Sequence, residues 1–542
     1  MIGSIVTACL LSGFALPALA ELDPAAVVKL ADDDTDIKLE GIAQVAASGD
    51  PRAAAILQSL ADETLYTVAS DPKNTDSPPR LVIVVDDKMT DAITGTAIEP
   101  AIESPDSVSI NNRIRGVVGT AIAALRLQSP DREVRLAAAL ELQGADSDVL
   151  LPIVDKALAA ESDKTVKDAI AVARAALVVR SDDVGARLEA VKTLAASDSS
   201  EVRQLLYGLL ARDSSGTFGE PNAAVRAAAE TSLGEINGRL RKYELISNVF
   251  SGISLGSILL LAALGLAITF GLMGIINMAH GEMLMIGAYC TYVIQGLFAH
   301  YWPGAIDWYP LFALPFAFVV TAAIGIALER AVIRFFWGRP LETLLATWGI
   351  SLLLIQSCRT IFGAQNVEVA NPSWMSGGYA LGGGLVLPYN RIVIVFFSFA
   401  VLAIVWVLLN RTRMGLFVRA VTQNRKMASC TGVPTARVDM LTFGLGSGIA
   451  GLGGVALSQI GNVGPELGQG YIIDSFMVVV LGGVGQLAGT VIAALGLGWI
   501  SKFMEPWVGA VLAKIGLLII VILFIQKKPS GLFAVKGRSA EA

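Results

Sequence analysis

The stretch from Leu245 to Gly281, LISNVFSGISLGSILLLAALGLAITFGLMGIINMAHG, contains no charged residue. A helix needs about 20 consecutive apolar residues to cross the hydrocarbon core of a bilayer, and this stretch is longer. It therefore predicts the first membrane-spanning segment of a helical bundle. Further apolar blocks follow it, centred on residues 283–300, 309–328, 343–361, 391–409, 439–460, 474–500 and 507–525.

The charge of the chain changes sign near Glu244. The 542 residues are 54% hydrophobic, which is high for a soluble protein. Up to Glu244 there are 37 acidic and 24 basic residues, a net charge of −13, and beyond it 10 acidic and 17 basic residues, a net charge of +7, which together give the −6 of the whole chain. We therefore predict a soluble domain over 21–244, a transmembrane domain over 245–535 and a cytoplasmic tail over 536–542.

The first 20 residues are apolar and end in Ala18-Leu19-Ala20. Small residues in this arrangement are typical of a signal-peptidase cleavage site, so residues 1–20 are predicted to be a signal peptide. A retained anchor or a wrongly chosen start is the alternative, because no lysine or arginine precedes the apolar run. In either case we expect the soluble domain to be exported.

The soluble domain is predicted to be helical, because apolar residues recur in it at three- and four-residue spacing. Four segments share a turn residue followed by a valine and a basic residue, and they lie at 130–135, 163–167, 198–203 and 221–226. Such units resemble HEAT-type helical repeats, which bury apolar surface by stacking on their neighbours. Ordinary amphipathic helices in an alanine-rich bundle are the alternative.

One part of the soluble domain has a different composition. Residues 71–112 are rich in proline, aspartate, serine and threonine, which predicts a mostly irregular connection. Within it, Leu81–Val85 could form one short strand. The predicted fold class is therefore all-α, a polytopic transmembrane helical bundle with an N-terminal exported helical domain, either HEAT-like or an ordinary alanine-rich bundle.

Basic residues set the orientation of the predicted spans. They are concentrated in two loops, 330–339 and 411–437, and the positive-inside rule assigns both loops to the cytoplasm. If all eight blocks crossed once, the basic tail would end outside. The block over 474–500 is the predicted place of an extra crossing or a broken helix, because Gly482-Gly483-Val484-Gly485 interrupts it.

The motifs of common enzymes are missing from the sequence. It contains no G-x-x-x-x-G-K-[ST] loop, no G-x-S-x-G elbow and no H-E-x-x-H pair, so we expect no catalytic residues and any nucleotide to be bound by a partner. Two histidines and four scattered cysteines exclude a Cys/His zinc site, so no metal and no cofactor is predicted. The acidic net charge argues against nucleic-acid binding.

Polar residues within or beside the spans are the candidates for a solute path. Such residues are costly in hydrocarbon and should face the bundle interior. The candidates are Asn277, His280, Glu282, Gln356 and Gln459. Capping of helix ends and hydrogen bonding between helices are the alternative roles for them.

Glycines recur in the later spans at a spacing of four residues. The pairs Gly444/Gly448 and Gly485/Gly489 fit the small-xxx-small pattern that lets helix backbones approach closely. Helix packing is the simpler interpretation of these pairs. Exposed backbone that lines a solute path is the alternative.

The basic loop from Thr412 to Val433 has a helical pattern, which predicts a short amphipathic helix on the cytoplasmic side. It is either a positive-inside anchor or a helix that docks into a groove on a partner. This loop and other stretches of the second half resemble, in order, the permease subunits of branched-chain amino-acid ABC importers. The similar stretches lie at 263–282, 339–351, 411–433, 479–485 and 528–533.

The resemblance implies an inner-membrane, multi-pass permease subunit of an ATP-driven ABC importer in a lipid bilayer. It implies as partners two cytoplasmic ATPase subunits, a second paralogous permease and a periplasmic solute-binding protein. The exported extension is similar to that of the urea-type branch, which makes urea the first predicted solute. Branched-chain amino acids or short-chain amides are the alternative solutes, and a passive channel or sensor is a different class of function.

The same resemblance identifies the segment from about Leu416 to Gly432 as a coupling helix that docks on an ATPase. Arg419, Asn424 and Gly432 match the family pattern there. The chain departs from that pattern at Thr422-Gln423-Asn424-Arg425, where many relatives carry an acidic residue after Gln or Asn. The charge pairing at the docking surface is therefore expected to differ.

Overall fold

The computed structural model describes residues 22–48, 50–68, 79–85, 88–98, 105–145, 150–212, 216–336, 338–382 and 384–533. The predicted signal peptide over 1–20 and the predicted tail over 536–542 lie outside these residues. The chain forms two compact units, Met1–Arg241 and Lys242–Ala542.

The first unit is mostly helical. Its helices are α1 (Pro24–Val28), α2 (Thr35–Ala47), α3 (Pro51–Ala61), α4 (Asn112–Arg126), α5 (Arg132–Glu141), α6 (Leu151–Ala160), α7 (Lys164–Val178), α8 (Val184–Leu194) and α9 (Ser200–Leu210). Short polar side chains cap most of their first turns; Asp163, for example, accepts hydrogen bonds from the N–H groups of Thr165 and Val166. Leu30, Ile42 and Ile170 belong to one apolar core that joins the first seven helices.

The all-α prediction is wrong for part of this unit, which contains a four-stranded antiparallel sheet in the order β3-β2-β1-β4. Its strands are β1 (Leu65–Val68), β2 (Arg80–Val85), β3 (Lys88–Asp91) and β4 (Asp106–Ser107). The predicted strand at Leu81–Val85 is confirmed within β2, but 71–112 is not mostly irregular where it is described. Leu65 and Leu81 enter the apolar core, so burial on one face stabilises strands too short to show a clear period.

A recurring arginine ties the turns of this unit to the helices that follow. Arg135, Arg187 and Arg226 are each the fourth residue of their helix. Each donates from Nη1 to the carbonyl oxygens five and six residues earlier, at 2.7 to 3.0 Å. Two of them also pair with a glutamate before a later helix, Arg135 with Glu161 and Arg187 with Glu220.

The Arg135–Glu161 pair predicts a pH-dependent stability. Arg135 Nε lies 2.7 Å from Glu161 Oε2, and this hydrogen bond holds the pKa of the Glu161 carboxyl below its usual range. Because the folded pKa is lowered, the stabilisation is present above the ordinary carboxyl pKa of about 4.3. It is lost as the pH falls through the lowered value.

We expect Glu161→Ala to destabilise the first unit by about 2 to 3 kcal/mol at neutral pH, because it leaves a half-buried guanidinium without its carboxylate. Hydrogen exchange of α5 and α7 amides in the detergent-solubilised chain, corrected for the intrinsic rate, measures this. The control is Glu189→Ala, since Glu189 is 75% exposed in its pair with Lys192 and should change stability by less than about 0.5 kcal/mol. Equal effects of the two variants would contradict the prediction.

The second unit is a helical bundle entered by a 51-residue helix, α10 (Ala223–Met273). The others are α11 (His280–Tyr301), α12 (Tyr309–Ala331), α13 (Pro340–Phe362), α14 (Tyr389–Arg411), α15 (Arg413–Gln423), α16 (Arg425–Cys430), α17 (Thr435–Ser458), α18 (Leu467–Gly482), α19 (Leu487–Val508) and α20 (Ala510–Lys527). Strands β5 (Gly378–Gly382) and β6 (Leu385–Pro388) form a hairpin. Among the described residues, eight helices are long and apolar enough to cross a membrane, so this is a polytopic membrane protein.

The predicted break in the block over 474–500 is confirmed. Helix α18 ends at Gly482 and α19 begins at Leu487, with Gly483 and Gly485 at positive φ in the turn between them. Gly271 of α10 lies against Gly485 in this turn, and the N–H of Leu532 donates to Leu481 O at 2.9 Å. The ends of α10, α18 and α20 therefore meet at one end of the bundle.

Helix α17 packs closely on several neighbours through its glycines. Gly448 lies against the Phe318 ring of α12, and a Cβ on Gly451 would meet Thr321 of the same helix. Gly446 lies against Gly265 of α10. The packing role predicted for Gly444/Gly448 is confirmed, whereas Gly485 belongs to a turn and not to a helix contact pair.

Candidate functional site

The chain between α10 and α11 turns back along α10. Helix α10 ends at Met273, Gly274 has φ of 69°, and α11 begins only at His280. His280 Nε2 lies 2.9 Å from the carbonyl oxygen of Ala262, which precedes Met273 by 11 residues, or about 16 Å of helix. The start of α11 is therefore beside the middle of the apolar part of α10.

This start is held by side chains from α13 and from the loop itself. The N–H of Met278 donates to Thr347 Oγ1 at 3.1 Å, and the N–H of Ala279 donates to Asn277 Oδ1 at 3.0 Å. Ser351 Oγ donates to Glu282 Oε1 at 2.8 Å. Two of the amide groups before α11 are thus already satisfied within the protein.

His280 and Glu282 face different neighbours. Two residues apart on a helix, they are rotated by about 200°, and their partners lie on α10 and α13 respectively. The carbonyl of Ala262 can only accept, so His280 Nε2 carries the hydrogen and Nδ1 of the neutral ring is an acceptor. The two side chains therefore line opposite sides of the first turn of α11.

Three buried polar atoms at this turn have no hydrogen-bond partner among the described residues. They are Asn277 Nδ2, His280 Nδ1 and Glu282 Oε2, on side chains that are almost completely buried. An unsatisfied buried polar group costs about 1 to 3 kcal/mol, and such groups in a native fold call for an explanation. Asn277 can donate and the other two can accept, and because His280 and Glu282 lie on opposite sides of the turn, each side offers its own hydrogen-bonding atom to a small polar molecule.

A second helix start lies at the same place. Gly281 in the first turn of α11 contacts the backbone of Gly468 in the first turn of α18, and a Cβ on either residue would overlap the other's carbonyl oxygen. Helices that begin inside a bundle are the usual way in which transporters build a solute site. We name the first turns of α11 and α18, together with Asn277 just before α11, the inner junction.

The other two candidates for the solute path lie elsewhere. Gln459 is buried at the end of α17, where Oε1 accepts a hydrogen bond from Tyr309 Oη at 3.0 Å and the backbone oxygen accepts one from Asn390 Nδ2 at 2.9 Å. Gln356 is exposed on α13. The structure therefore brings together Asn277, His280 and Glu282 but not Gln356 or Gln459.

The candidate coupling residues shape the α15–α16 segment. Arg419 Nη1 donates to Leu409 O at the end of α14, at 2.7 Å. The Asn424 side chain caps α16 by accepting from the Met427 N–H at 3.0 Å, and Gly432, with φ of 85°, terminates it. These three residues hold the segment in its conformation.

The outward surface of the segment is formed by other residues. Val418, Val421 and Ala428 pack inward with Val438 of α17, while Leu416 and Met427 are 57% and 60% exposed. Phe417 is exposed beside Leu416. We name Leu416, Phe417 and Met427 the apolar outer face.

Sequence reasoning missed the partners of the site residues. Ser351 and Thr347 of α13 bind the start of α11, and Asp439 of α17 binds Arg425 through both of its oxygens. Arg425 therefore turns toward the bundle. Such pairings depend on contacts between distant segments, and the only hint of them in the sequence was that Thr347 and Ser351 lie in a stretch similar to the family.

Comparison with known proteins places these helices in a family. Residues 248–526 match the model described as "Branched-chain amino acid transport system / permease component". The high-affinity branched-chain amino acid transport system permease protein BraD of Pseudomonas aeruginosa is 30% identical over 54% of this chain and 96% of its own length. LivH of Escherichia coli, with the same description, is 30% identical over 53% of this chain and 94% of its own.

The chain therefore belongs to the branched-chain amino acid ABC permease family, and the family predicted from the sequence is confirmed. It is a transport component and a multi-pass membrane protein. The ribose import permease protein RbsC of Escherichia coli is a more distant relative, 25% identical over 47% of this chain and 77% of its own length. No solved structure matches the chain.

Proposed function

We propose that the chain is the inner-membrane permease subunit of an ATP-driven importer that translocates urea. The observation that carries this proposal is the inner junction, where Asn277, His280 and Glu282 keep one donor and two acceptors unsatisfied inside an apolar bundle. Urea presents N–H donors and one carbonyl acceptor, so it can pair with either kind of unsatisfied atom on the side of the turn that it passes.

The charges of the bundle support a neutral solute. Among its described residues no lysine or arginine is buried; the part-buried Arg391 bonds to Ser254 Oγ and the part-buried Arg425 to Asp439. The side chains of the inner junction bond to backbone and hydroxyl groups instead. The amide groups of Met278 and Ala279, which could otherwise bind an anion at the start of α11, are occupied by Thr347 and Asn277. A short-chain amide would satisfy the same groups.

Branched-chain amino acids are the second candidate, because BraD and LivH carry that substrate in their names. Uptake of radiolabelled urea and leucine into cells with and without this chain separates the two, each with an excess of the other solute as competitor. Urea uptake that requires the chain and is insensitive to leucine supports the proposal. Leucine uptake with no urea uptake would replace it.

The energy source and the partners are part of the proposal. We infer two cytoplasmic ATPase subunits that dock on the α15–α16 segment, a second permease and a periplasmic solute-binding protein. This assignment is supported by family membership and by the apolar outer face, whose Leu416, Phe417 and Met427 suit a groove on a partner. Urea uptake that persists after depletion of ATP would instead favour a passive channel.

We propose that the first unit is exported, HEAT-like and periplasmic. The recurring arginines at 135, 187 and 226 support a repeat, because each makes the same pair of carbonyl bonds before its helix. A role in receiving the binding protein is our hypothesis for it. Unchanged uptake after deletion of residues 21–240 would exclude that role.

We expect Glu282→Leu to lower urea uptake at least about fivefold. The change removes the acceptor of the Ser351 hydroxyl and one free acceptor of the inner junction, and loss of a buried hydrogen bond of about 1 to 3 kcal/mol corresponds to a decrease of about five- to 150-fold. The measurement is the initial rate of uptake at equal amounts of chain in the membrane. Gln356→Leu is the control, because Gln356 is exposed on α13. An equal loss of uptake in this variant would show that the inner junction is not part of the solute path.

A further inference from the structure

A partly buried ion pair joins the α15–α16 segment to the bundle. Arg425, the first residue of α16, donates from Nη1 to Asp439 Oδ1 at 3.0 Å and from Nη2 to the second carboxylate oxygen. The Asp439 side chain is 4% exposed and that of Arg425 is 33% exposed. A two-pronged contact of this kind fixes direction as well as distance.

The acidic partner lies on the most densely packed helix. Asp439 is in the second turn of α17, whose glycines contact α10, α11 and α12 farther along. A displacement of Asp439 therefore moves a helix with little free space around it, and close-packed interiors transmit strain of this kind. The ion pair is the charged contact from α16 into this helix.

A second buried carboxylate lies near the pair. Glu329 of α12 is 3% exposed and interacts electrostatically with both Asp439 and Arg425. Two carboxylates in one low-dielectric region repel each other unless a cation lies between them. Arg425, together with Arg330 and Arg334, thus offsets carboxylate charge on α12 and α17, and Arg425 also holds α16.

We propose that Arg425 and Asp439 form the link that transmits movement of the α15–α16 segment to α17, and hence to the helices around the inner junction. Both act as positioning residues, since neither belongs to the inner junction or to the apolar outer face. The apolar cluster of Val418, Val421, Ala428 and Val438 can slide, because dispersion contacts have no fixed direction. The bidentate pair cannot slide without breaking.

The physical link can be tested on the chain alone. Cys430 at the end of α16 is exposed, whereas Cys290 and Cys358 are buried, so a nitroxide spin label attached after Cys9→Ser reports on α16. We expect Asp439→Asn to increase the mobility of this label in the detergent-solubilised chain. Glu342→Gln, which removes an exposed pair between Arg339 and the first turn of α13, is the matched control and should leave the spectrum unchanged.

The functional arm rests on the proposed function and uses the chain purified with its ATPase subunits in proteoliposomes. We expect Asp439→Asn to leave basal ATP hydrolysis within about twofold and to lower its stimulation by solute at least about tenfold, a loss of about 1.4 kcal/mol. The charge-swapped double variant, Arg425→Asp with Asp439→Arg, should restore part of the stimulation.

The outcomes are distinct. Unchanged label mobility in Asp439→Asn, or full stimulation despite a mobile label, overturns the link. A loss of stimulation in direct proportion to a fall in melting temperature, without rescue by the swap, also overturns it in favour of a structural role. If no ATPase co-purifies with the unaltered chain, the proposed function fails, and the label measurement still decides whether the pair holds α16.

Discussion

Replacement of Gly287 by leucine is expected to abolish assembly of the bundle. A Cβ at Gly287 of α11 would overlap the backbone of Gly451 in α17. Backbone cannot move aside as the end of a flexible side chain can, so the two helices would have to separate. Overpacking of a core costs 1 to 3 kcal/mol when side chains can adjust, and more than about 3 kcal/mol is expected here. The yield of monodisperse protein in detergent and its aggregation temperature measure the effect.

The matched control for this variant lies on the same helix. Gly296 of α11 has no atom within 4 Å of the position that a Cβ would occupy. Gly296→Leu keeps the composition and the length of the span identical to those of Gly287→Leu. It should give a normal yield and an aggregation temperature within a few degrees of the unaltered chain. Similar behaviour of both variants would show that the α11–α17 contact is not the one described.

The combined change of Leu416 and Phe417 to aspartate is expected to eliminate ATP-driven uptake while the chain stays folded. Both side chains belong to the apolar outer face of α15 and are exposed in the isolated chain, so their loss removes no buried contact. Residues at the centre of an interface each contribute about 2 kcal/mol or more. Loss of two of them should weaken ATPase binding by more than about a hundredfold. Co-purification of the ATPase subunits measures this directly.

Two comparisons make this prediction specific. Arg419→Ala should also reduce uptake, but through a lower melting temperature, because Arg419 anchors α15 to Leu409 O. Arg437→Gln changes an exposed charge in the first turn of α17 and should leave binding unchanged. Normal co-purification of the Leu416/Phe417 variant would mean that the ATPase docks on another surface.

Long apolar segments were predictable from the sequence because the bilayer sets their length. The break at Gly482-Gly483-Val484-Gly485 could also be predicted. The positive-inside rule places the basic residues after Phe524 in the cytoplasm, and this requires an additional crossing or a broken helix. The turn at Gly274 was harder to foresee, because the stretch through Gly281 stays uncharged while the chain leaves the helix and turns back. The sheet was partly missed, because a strand of four residues such as Leu65–Val68 shows its alternation only once its partners are known.

The candidate site was predictable as a set of residue types but not as an arrangement. Asn277, His280 and Glu282 could be selected from the sequence, because a polar group within a membrane span is costly and is therefore a candidate for function. Their partners, such as Ser351 and Ala262, lie 69 and 18 residues away in the chain. The three coupling candidates were selected because they match a family pattern. In the structure they stabilise the turns of the α15–α16 segment. The exposed residues beside them form no recognisable sequence motif.

The position of α10 has a consequence for the order in which the protein is made. Of the described spans it is the first to leave the ribosome, yet three of its glycines contact segments synthesised much later: Gly252 with Trp499, Gly256 with Leu495 and Gly265 with Gly446. Its hydroxyl groups bond to its own backbone, as Ser257 does to Ser254 O and Thr269 to Gly265 O. A helix whose hydroxyl groups are hydrogen-bonded to its own backbone can stay in the lipid as an independent span until its partner helices insert. Of the described spans, the one that is synthesised first therefore becomes the centre of the bundle.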